Sequence, residues 1–343
     1  MDSKTFNNDD VLYAMQQRNL VYNYNFLNYS NQIADVNSID YKHPDGWVYE
    51  DIGANAKIGF DPQTNSCMII KSRGNDVMTF KQNINEFPRW ADVICGKKVS
   101  ACTTITNVGN VDCQIIFSLY DGVNTSSKSV FFKSKEQKEI NIVLDVVSNA
   151  STLVISIQSN SSDAVLYIKK VFANIGSVAI ENLPCIVEGN IGERKQYMSS
   201  DVPPARELSL CNASIELSIS YTRLNSFLNG KFGKGANGYS LLPDMRGYFS
   251  RAWDNKAKID TDATKRTALG GGKISGDNVG TVELDQFKEH DHELQFDLSG
   301  QIPAGPSSPL ASINKMLKSN TVKNGGTETR SKNISELYTM KWA

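Results

Sequence analysis

Two histidines separated by one residue, His290 and His292, have the type and spacing to bind a transition metal. On an extended strand side chains alternate between two faces, so both imidazoles would point to one side and Asp291 to the other. Three such strands around a three-fold axis would offer six imidazole nitrogens, which suits an octahedral site for iron(II), zinc or nickel. With six protein ligands no position is open for water or substrate, so the expected role is structural. The alternative is a pair of solvated residues in the polar loop 289–293.

Residues typical of enzymes do not combine into a convincing site elsewhere in the sequence. The third histidine, His43, precedes a proline in a predicted turn and is expected at the surface, which leaves little room for a hydrolase triad. The acids Asp254, Asp260 and Asp262 could be imagined as a glycosidase pair, but they lie in a lysine-interleaved polar stretch. The run Gly270–Lys273 lacks the flanking strand and helix of a phosphate-binding loop. The sequence therefore favours a protein that is not an enzyme.

Length and composition indicate a protein with more than one domain and no general affinity for polyanions. The chain has 343 residues, of which 40% are hydrophobic and 21% charged, with a formal net charge of -1. We expect no nucleic-acid partner and no membrane insertion, because no run approaches the roughly 20 apolar residues that span a bilayer. The polar N-terminal residues do not resemble a secretory signal, so synthesis in the cytoplasm is expected. The six cysteines form no C-x-x-C pair and are expected to be reduced and mostly buried.

Period-two alternation dominates residues 19–184 and predicts an all-β sandwich. Ile140, Ile142, Leu144 and Val146 are the clearest case, since each second side chain of a strand faces the core. Further strand-like runs, separated by turn-like stretches, are 114–120, 129–132, 152–158 and 164–172.

The beginning of this region resembles the start of jelly-roll carbohydrate-binding modules and of many tail-fibre sandwiches. The resemblance is carried by Asn19–Phe26 and by Pro44-Asp45-Gly46-Trp47. Such modules stack aromatic rings on sugar faces, which implies Tyr22, Tyr24, Trp47 and Trp90 as candidate ligand-binding residues, with Tyr29 and Tyr49 of the same kind. The alternative is that these aromatic residues form the core of the sandwich.

Alternation stops at Cys185, and the polar stretch 185–202 is predicted to be a linker that Pro203 and Pro204 stiffen. A short helix of about two turns is predicted after it, capped by Ser220 and ended by Gly230 in a left-handed conformation. The apolar residues of one helix face are Tyr221, Leu224, Phe227 and Leu228.

The C-terminal part, about Ser199 to Ala343, contains several short segments in a characteristic order and spacing. They are Val202-Pro203-Pro204, Leu210–Ser214, Phe232-Gly233, Leu242–Phe249 with Arg251–Asp254, Ala268–Gly270, Val279-Gly280, Asp285–His292 and Gly325–Arg330 with Asn333. In this order and spacing they resemble the phage tail collar domain family, found in short tail fibres and receptor-binding tail fibres.

The resemblance implies a homotrimer with one structural transition-metal ion, iron(II) or zinc, held on the three-fold axis by His290 and His292. The sequence departs from the family at Asn212-Ala213, where Asp-Gly is usual, and at Ser331, where proline is usual. It also has a single His-x-His pair where longer receptor tips have several. Residues expected to be structural in the collar motif are Pro243, Asp244, Arg246, Gly247, Gly325, Gly326, Glu328 and Arg330.

The sequence adds a physical reason to expect a trimer. Residues 256–280 contain too little apolar surface to fold alone, so they would become ordered by wrapping around partner chains. Arg246 is expected to pair with Asp244 or with a carboxylate of a neighbouring chain. The predicted fold is mainly β, with a jelly-roll-like sandwich and an intertwined trimeric collar and fibre-tip domain that has one short helix. The predicted divisions are an attachment arm (1–18), the sandwich (19–184), the linker (185–202), the collar domain (203–253) and the fibre tip (254–343).

These features predict a structural tail fibre or spike protein of a phage or of a phage-tail-like contractile particle, located in the virion tail. Its N-terminal region would bind other tail or baseplate proteins, and a host surface glycan or lipopolysaccharide would be its receptor, with residues 297–323 the first place to look for a receptor patch. One alternative is an architectural baseplate or collar protein that links a fibre to the tail without touching the host. A further alternative is a polysaccharide depolymerase.

Overall fold

The computed structural model of the chain describes residues 17–30, 43–51, 56–285 and 333–343. Its N-terminal part is a sandwich of two antiparallel five-stranded sheets. Sheet A has the order β1-β4-β9-β6-β7, and sheet B has the order β2-β3-β10-β5-β8. The strands of sheet A are β1 (Val48–Glu50), β4 (Met78–Asn83), β6 (Cys113–Tyr120), β7 (Thr125–Phe132) and β9 (Val154–Ser159). The strands of sheet B are β2 (Lys57–Asp61), β3 (Ser66–Ile70), β5 (Lys98–Asn107), β8 (Gln137–Asp145) and β10 (Val165–Ile175).

Alternation of apolar and polar residues builds the sandwich core, as the sequence predicts. In β6 the side chains of Ile115, Phe117 and Leu119 are fully buried, while Gln114, Ile116 and Tyr120 of the alternate phase lie at the surface. Because a strand turns successive side chains to opposite faces, this pattern places one face of each sheet against the other. The predicted β-sandwich is therefore confirmed.

Three aromatic side chains fill one part of the core. Trp47 stacks on Phe80 with ring centroids 4.5 Å apart and an interplanar angle of 12°, and Phe26 packs against both rings. A one-turn helix, α1 (Trp90–Ile94), follows the loop after β4. The side chain of Trp90 packs partly against the same core.

A three-stranded antiparallel sheet, sheet C, follows the sandwich and contains the C-terminal strand of the chain. Its order is β11-β15-β12, with β11 Arg194–Tyr197, β12 Glu207–Ser209 and β15 Leu337–Lys341. Strand β11 lies within the interval 185–202, which the sequence predicts to be a linker. The backbone of Leu210 joins two distant segments, because its N–H donates to the carbonyl of Tyr338 (2.8 Å) and its carbonyl accepts from the N–H of Met245 (2.8 Å).

The predicted helix after the polar stretch is present as α2 (Thr222–Leu228), preceded by a 3₁₀ turn at Ile219–Tyr221. The prediction that Ser220 caps this helix is wrong. Instead, the carboxylate of Glu86 accepts hydrogen bonds from the first two N–H groups of the helix, those of Thr222 (2.6 Å) and Arg223 (2.9 Å). The helix ends at Asn229, which adopts the left-handed conformation one residue before the predicted Gly230, and Gly230 is also left-handed with a φ of 71°.

Arg223 and Glu86 form a buried ion pair that joins α2 to the loop after β4. Their side chains are 0% and 2% exposed, and the guanidinium Nε lies 3.2 Å from a Glu86 carboxylate oxygen. Arg223 also donates to the backbone carbonyl of Glu86. Burial raises the pKa of the Glu86 carboxyl and lowers the pKa of the Arg223 guanidinium, and the charge of each partner opposes the shift of the other. The pair is therefore needed for both groups to remain charged inside the protein.

The segment 246–282 is held by polar contacts rather than by a core. It contains β13 (Thr267–Ala268), β14 (Thr281–Val282) and a 3₁₀ turn at Ala263–Lys265. The Asp254 carboxylate accepts hydrogen bonds from three backbone N–H groups within the loop that follows it. Ala263 and Ile274 are the buried hydrophobic residues of this segment.

Contacts divide the chain into one unit of Met1–Val282 with Glu336–Ala343 and a second unit of Glu283–Ser335. The sandwich, sheet C and α2 all belong to the first unit. Among the described residues, no helix has both the length and the apolar character that crossing a bilayer requires.

Candidate functional site

The outward side of sheet A carries a mixed polar and aromatic surface, which we call the sheet A outer face. Strand pairing places its residues in rows, with Gln158 between Thr79 and Ile116, and Ser156 between Lys81 and Ser118. Tyr120 lies beside Val154 and Thr125 in the next row. The residues of this face are Val48, Glu50, Thr79, Lys81, Asn83, Gln114, Ile116, Ser118, Tyr120, Thr125, Ser127, Ser129, Phe131, Val154, Ser156 and Gln158.

Besides the partly buried Val48 and Val154, three more exposed apolar side chains lie on this otherwise polar surface. Ile116 is 36% exposed, Tyr120 is 41% exposed and Phe131 is 55% exposed. Phe131 pairs with Gln114, six residues before Tyr120, and each strand residue advances the chain by roughly 3.4 Å. The two aromatic rings therefore stand near the ends of a track that is roughly 20 Å long.

The polar groups of the track are oriented by hydrogen bonds between strands. Gln158 Nε2 donates to Thr79 Oγ1 (3.2 Å), and Gln114 Nε2 donates to Ser129 Oγ (2.6 Å). The charge of Lys81 is matched by Glu50 of the edge strand at 2.7 Å. Because the other side chains of the face are neutral, the track suits an uncharged ligand with many hydroxyl groups, which aromatic rings contact on apolar faces and amides bind at hydroxyls.

The aromatic residues that the sequence singles out as ligand-binding lie elsewhere. Trp47 is 0% exposed and Tyr22 is 2% exposed, so neither ring presents a face to solvent and the core alternative holds for both. Tyr24 and Trp90 are half-buried and pack against the sandwich core. None of the four belongs to the sheet A outer face.

The predicted metal ligands His290 and His292 lie outside the described residues, as do Gly325, Gly326, Glu328 and Arg330. The metal site therefore stays a prediction. In the part of the chain that the structure describes, no three His, Cys, Asp or Glu side chains come together as a metal-ligand set. His43 is 7% exposed, so its predicted surface position is wrong.

The described part of the segment that resembles the collar family in sequence forms an exposed turn after a buried proline. Pro243 is buried and Gly247 has a positive φ of 79°. Arg246 pairs with Asp244 at 2.7 Å, one of the two pairings that the sequence predicts, and this hydrogen bonding lowers the pKa of the Asp244 carboxyl.

The acids considered as a glycosidase pair bind groups of their own chain. Asp254 accepts from backbone N–H groups, Asp260 pairs with Arg266 at 3.0 Å, and Asp262 pairs with Lys265 at 2.7 Å. These three carboxylates therefore organise the loop.

Tyr120 and Phe131 are missed by reasoning from sequence, although β6 contains a usable signal. In Cys113–Tyr120 the inward phase is Cys113, Ile115, Phe117 and Leu119, and the outward phase is Gln114, Ile116, Ser118 and Tyr120. The isoleucine and the tyrosine on the polar phase of this amphipathic strand are visible in the sequence and make its outward face one to test for binding.

Comparison with known proteins places the chain in no family, because no family model matches it. Among curated proteins it is similar to Protein RhiB of Rhizobium leguminosarum bv. viciae, with 25% identity over 166 residues, which cover 47% of this chain and 75% of that protein.

Several solved structures are similar to this chain at low identity. The CBM22-1 xylan-binding domain of Paenibacillus barcinonensis Xyn10C is 11% identical, covers 39% of this chain and 88% of its own, and has a TM-score of 0.31. A cyclase from Fischerella sp. TAU is 13% identical, covers 48% of this chain and 100% of its own, and has a TM-score of 0.35. The enzymatically active domain of bacteriophage CBA120 tailspike protein 4 is 15% identical, covers 46% of this chain and 21% of its own, and has a TM-score of 0.31. The sandwich assignment rests on the strand pairing of this chain itself.

Proposed function

We propose that this chain is a homotrimeric structural protein of the tail-fibre or spike kind, part of a phage tail or of a related contractile particle. The proposal rests on the apolar residues of the segment 246–282. In this segment Ala263 and Ile274 are buried, whereas five apolar or aromatic side chains are exposed. These are Tyr248 (36%), Phe249 (63%), Trp253 (48%), Ile259 (82%) and Val279 (55%).

This pattern favours a partner chain over an isolated monomer. Monomeric proteins rarely expose large apolar patches, and one meaning of such a patch is a protein–protein interface, which in homo-oligomers is more apolar than the rest of the surface. The resemblance of residues 199–343 to the tail collar family, whose fibres are homotrimers, gives the expected number of chains. A homotrimer would bury these side chains against copies of the same segment.

Native mass spectrometry of the full chain is expected to give a mass near three times 37.9 kDa. Changing Phe249 and Ile259 together to aspartate is expected to shift the protein to the monomer mass, because charged side chains cannot be buried unpaired at an interface. The control is Val178→Asp, since Val178 is 70% exposed but lies in the bend after β10, outside the segment 246–282. A 37.9 kDa monomer for the unchanged protein would contradict the proposal.

The same spectrum tests the predicted metal. One transition-metal ion per trimer is expected, and it is expected to be lost in the His290→Ala and His292→Ala double variant.

A second function, binding of a host surface glycan, is favoured by the sheet A outer face. Its aromatic rings near both ends of a neutral, hydroxyl- and amide-rich track match the chemistry of a sugar chain, which has apolar ring faces and hydroxyl edges. The architectural alternative, a baseplate or collar piece without host contact, needs no such surface.

Glycan-array binding of the full protein is expected to identify at least one neutral oligosaccharide. Changing Tyr120 or Phe131 to alanine is expected to weaken binding about tenfold, which corresponds to about 1.4 kcal/mol, because the sugar ring loses its aromatic contact. The control is Val143→Ala, which removes a similarly exposed side chain from sheet B, whose outward side is a separate surface. A trimer that binds no glycan would support the architectural alternative, and release of reducing sugar would support a depolymerase.

A further inference from the structure

A cleft of about 170 Å³ lies between the edge strand β1 and the helix α2, and the turn 234–240 closes its third side. Of the described residues that line it, Val48 alone also belongs to the sheet A outer face. Neither function proposed above uses this cleft. A single water needs about 10–15 Å³, so the cleft has room for a small ion with part of its hydration shell.

Hydrogen bonds between the walls fix the shape of the cleft. Ser226 Oγ donates to the carbonyl of Trp47 (2.6 Å), which joins α2 to the chain just before β1. Ser240 joins the turn to the helix, since its N–H donates to Asn225 Oδ1 (2.7 Å) and its hydroxyl accepts from the N–H of Gly230 (2.9 Å). The walls therefore keep their spacing before any ligand binds.

The groups that remain for a ligand are mainly hydrogen-bond donors. Because the Asn225 amide accepts from Ser240 through its oxygen, its nitrogen supplies two N–H donors at the other end of the group. Lys234 adds an ammonium group with three donors, and both side chains line the cleft. His43 lines it too, and its Nδ1 donates to the carbonyl of Pro44 (3.2 Å). None of the described lining residues is acidic, so the charge that they carry is positive.

Two carboxylates stand beside the cleft, and each accepts from donors outside it or on the turn. Asp51 accepts from the Tyr49 hydroxyl (2.9 Å) and from the N–H of Ser72 (2.9 Å). Glu216 accepts from the backbone N–H of Asn237 (2.9 Å) and from its side-chain amide (3.1 Å). These bonds hold both carboxylates at the margin, so the interior of the cleft presents donors and a cation to a ligand.

We propose that this cleft binds one phosphate group, with the Lys234 ammonium and the Asn225 amide donating to its oxygens. Lysine binds phosphate as a point charge, and a hydrogen bond to an ionised acceptor is about twice as strong as one between neutral groups. A free phosphate ion and a phosphate monoester present the same oxygens to these donors. The ligand is an anion, unlike the neutral glycan proposed for the sheet A outer face, and the two sites are independent.

Titration of the full protein with inorganic phosphate and, separately, with methyl phosphate tests the proposal, and the linewidth of each phosphorus NMR resonance reports binding. At least one resonance is expected to broaden. The dissociation constant is expected to rise about tenfold in Lys234→Met and in Asn225→Asp, as is typical for the loss of a hydrogen bond to a charged group. Lys234→Met keeps the side-chain stem and removes the charge. Asn225→Asp keeps an oxygen that accepts from Ser240 and replaces the N–H donors with a negative charge.

The matched control is Lys57→Met, which removes an exposed lysine of β2 and is expected to leave the dissociation constant unchanged. All three variants are expected to keep the urea midpoint of the unchanged protein within error, so that weaker binding reports the cleft. Broadening of the inorganic phosphate resonance indicates a site for the free ion, and broadening of the methyl phosphate resonance alone indicates a site for a monoester.

Two results would overturn the proposal. If neither resonance broadens with the unchanged protein, the cleft has no phosphate ligand. If Lys234→Met and Asn225→Asp bind as tightly as the unchanged protein, or if Lys57→Met weakens binding as much as they do, phosphate binds elsewhere on the surface. Neither result bears on the trimer mass or on glycan-array binding, so failure of this cleft leaves the proposed functions to their own tests.

Discussion

Replacing Arg223 with alanine is expected to lower the free energy of unfolding by about 3–5 kcal/mol, because it leaves the buried Glu86 carboxylate without its partner. The Glu86 carboxylate is 2% exposed and would remain buried without its counter-charge. The same carboxylate binds the first N–H groups of α2, so the helix would lose its attachment to the sandwich when Glu86 takes up a proton or turns toward solvent. Urea unfolding followed by circular dichroism measures the loss.

Two further variants separate the buried charge from the packing. The Glu86→Gln, Arg223→Met double variant is expected to recover part of the loss, because replacing both charges leaves neither one unpaired. Arg246→Ala, which breaks an exposed ion pair with Asp244, is expected to leave the urea midpoint nearly unchanged. If Arg223→Ala behaved like Arg246→Ala, the ion pair would not be buried in solution.

Trp47→Ala is expected to cost about 3–5 kcal/mol, because it leaves a cavity where a fully buried indole stacks on Phe80. The smaller change Trp47→Phe is expected to cost less, since part of the stacking is kept. Differential scanning calorimetry gives both values.

Trp47 also tests where a sugar would bind. Because the ring is inaccessible, any effect of Trp47→Phe on glycan binding should follow the loss of folded protein. Tyr120→Ala is expected to reduce glycan binding while the protein stays folded. Its effect on the free energy of unfolding should lie within about 0.5 kcal/mol, as is usual for surface substitutions. A stable Trp47→Phe protein that no longer binds glycan would contradict the core position of this residue.

The sequence predicts the strands of the sandwich well because their signal is local. The alternation through Ile140, Ile142 and Leu144 depends only on which side chains face the core, and β8 follows it. The pairing order of the two sheets depends on partners that are far apart in the chain, so alternation leaves it open. The same limit applies to β11, which lies in a polar stretch and pairs with a strand more than 130 residues later.

The helix α2 shows the same division between local and distant causes. Its apolar face, including Leu224 and Leu228, is readable from spacing alone. The cap of the helix cannot be predicted from spacing, because the carboxylate that binds the N–H groups of Thr222 and Arg223 belongs to Glu86, which lies 136 residues before Thr222. Ser220 is a reasonable choice of cap only while distant residues are ignored.

Part of the candidate site can be predicted from the sequence. The outward phase of β6 contains Ile116 and Tyr120, and this apolar interruption is visible without a structure. The sequence does not show whether Trp47 or Tyr120 lies at the surface, because both are aromatic residues in or beside strands. Exposure depends on which face of which sheet is covered, and that is a property of the assembled fold.

The two hydrogen bonds of Leu210 close a long stretch of the chain. The chain leaves this residue's neighbourhood at Met245 and returns to it at Tyr338, so the intervening stretch begins and ends at the same place. Because the entropic cost of closing a loop grows only slowly with its length, an insertion in this stretch is expected to cost the sandwich, sheet C and α2 little stability.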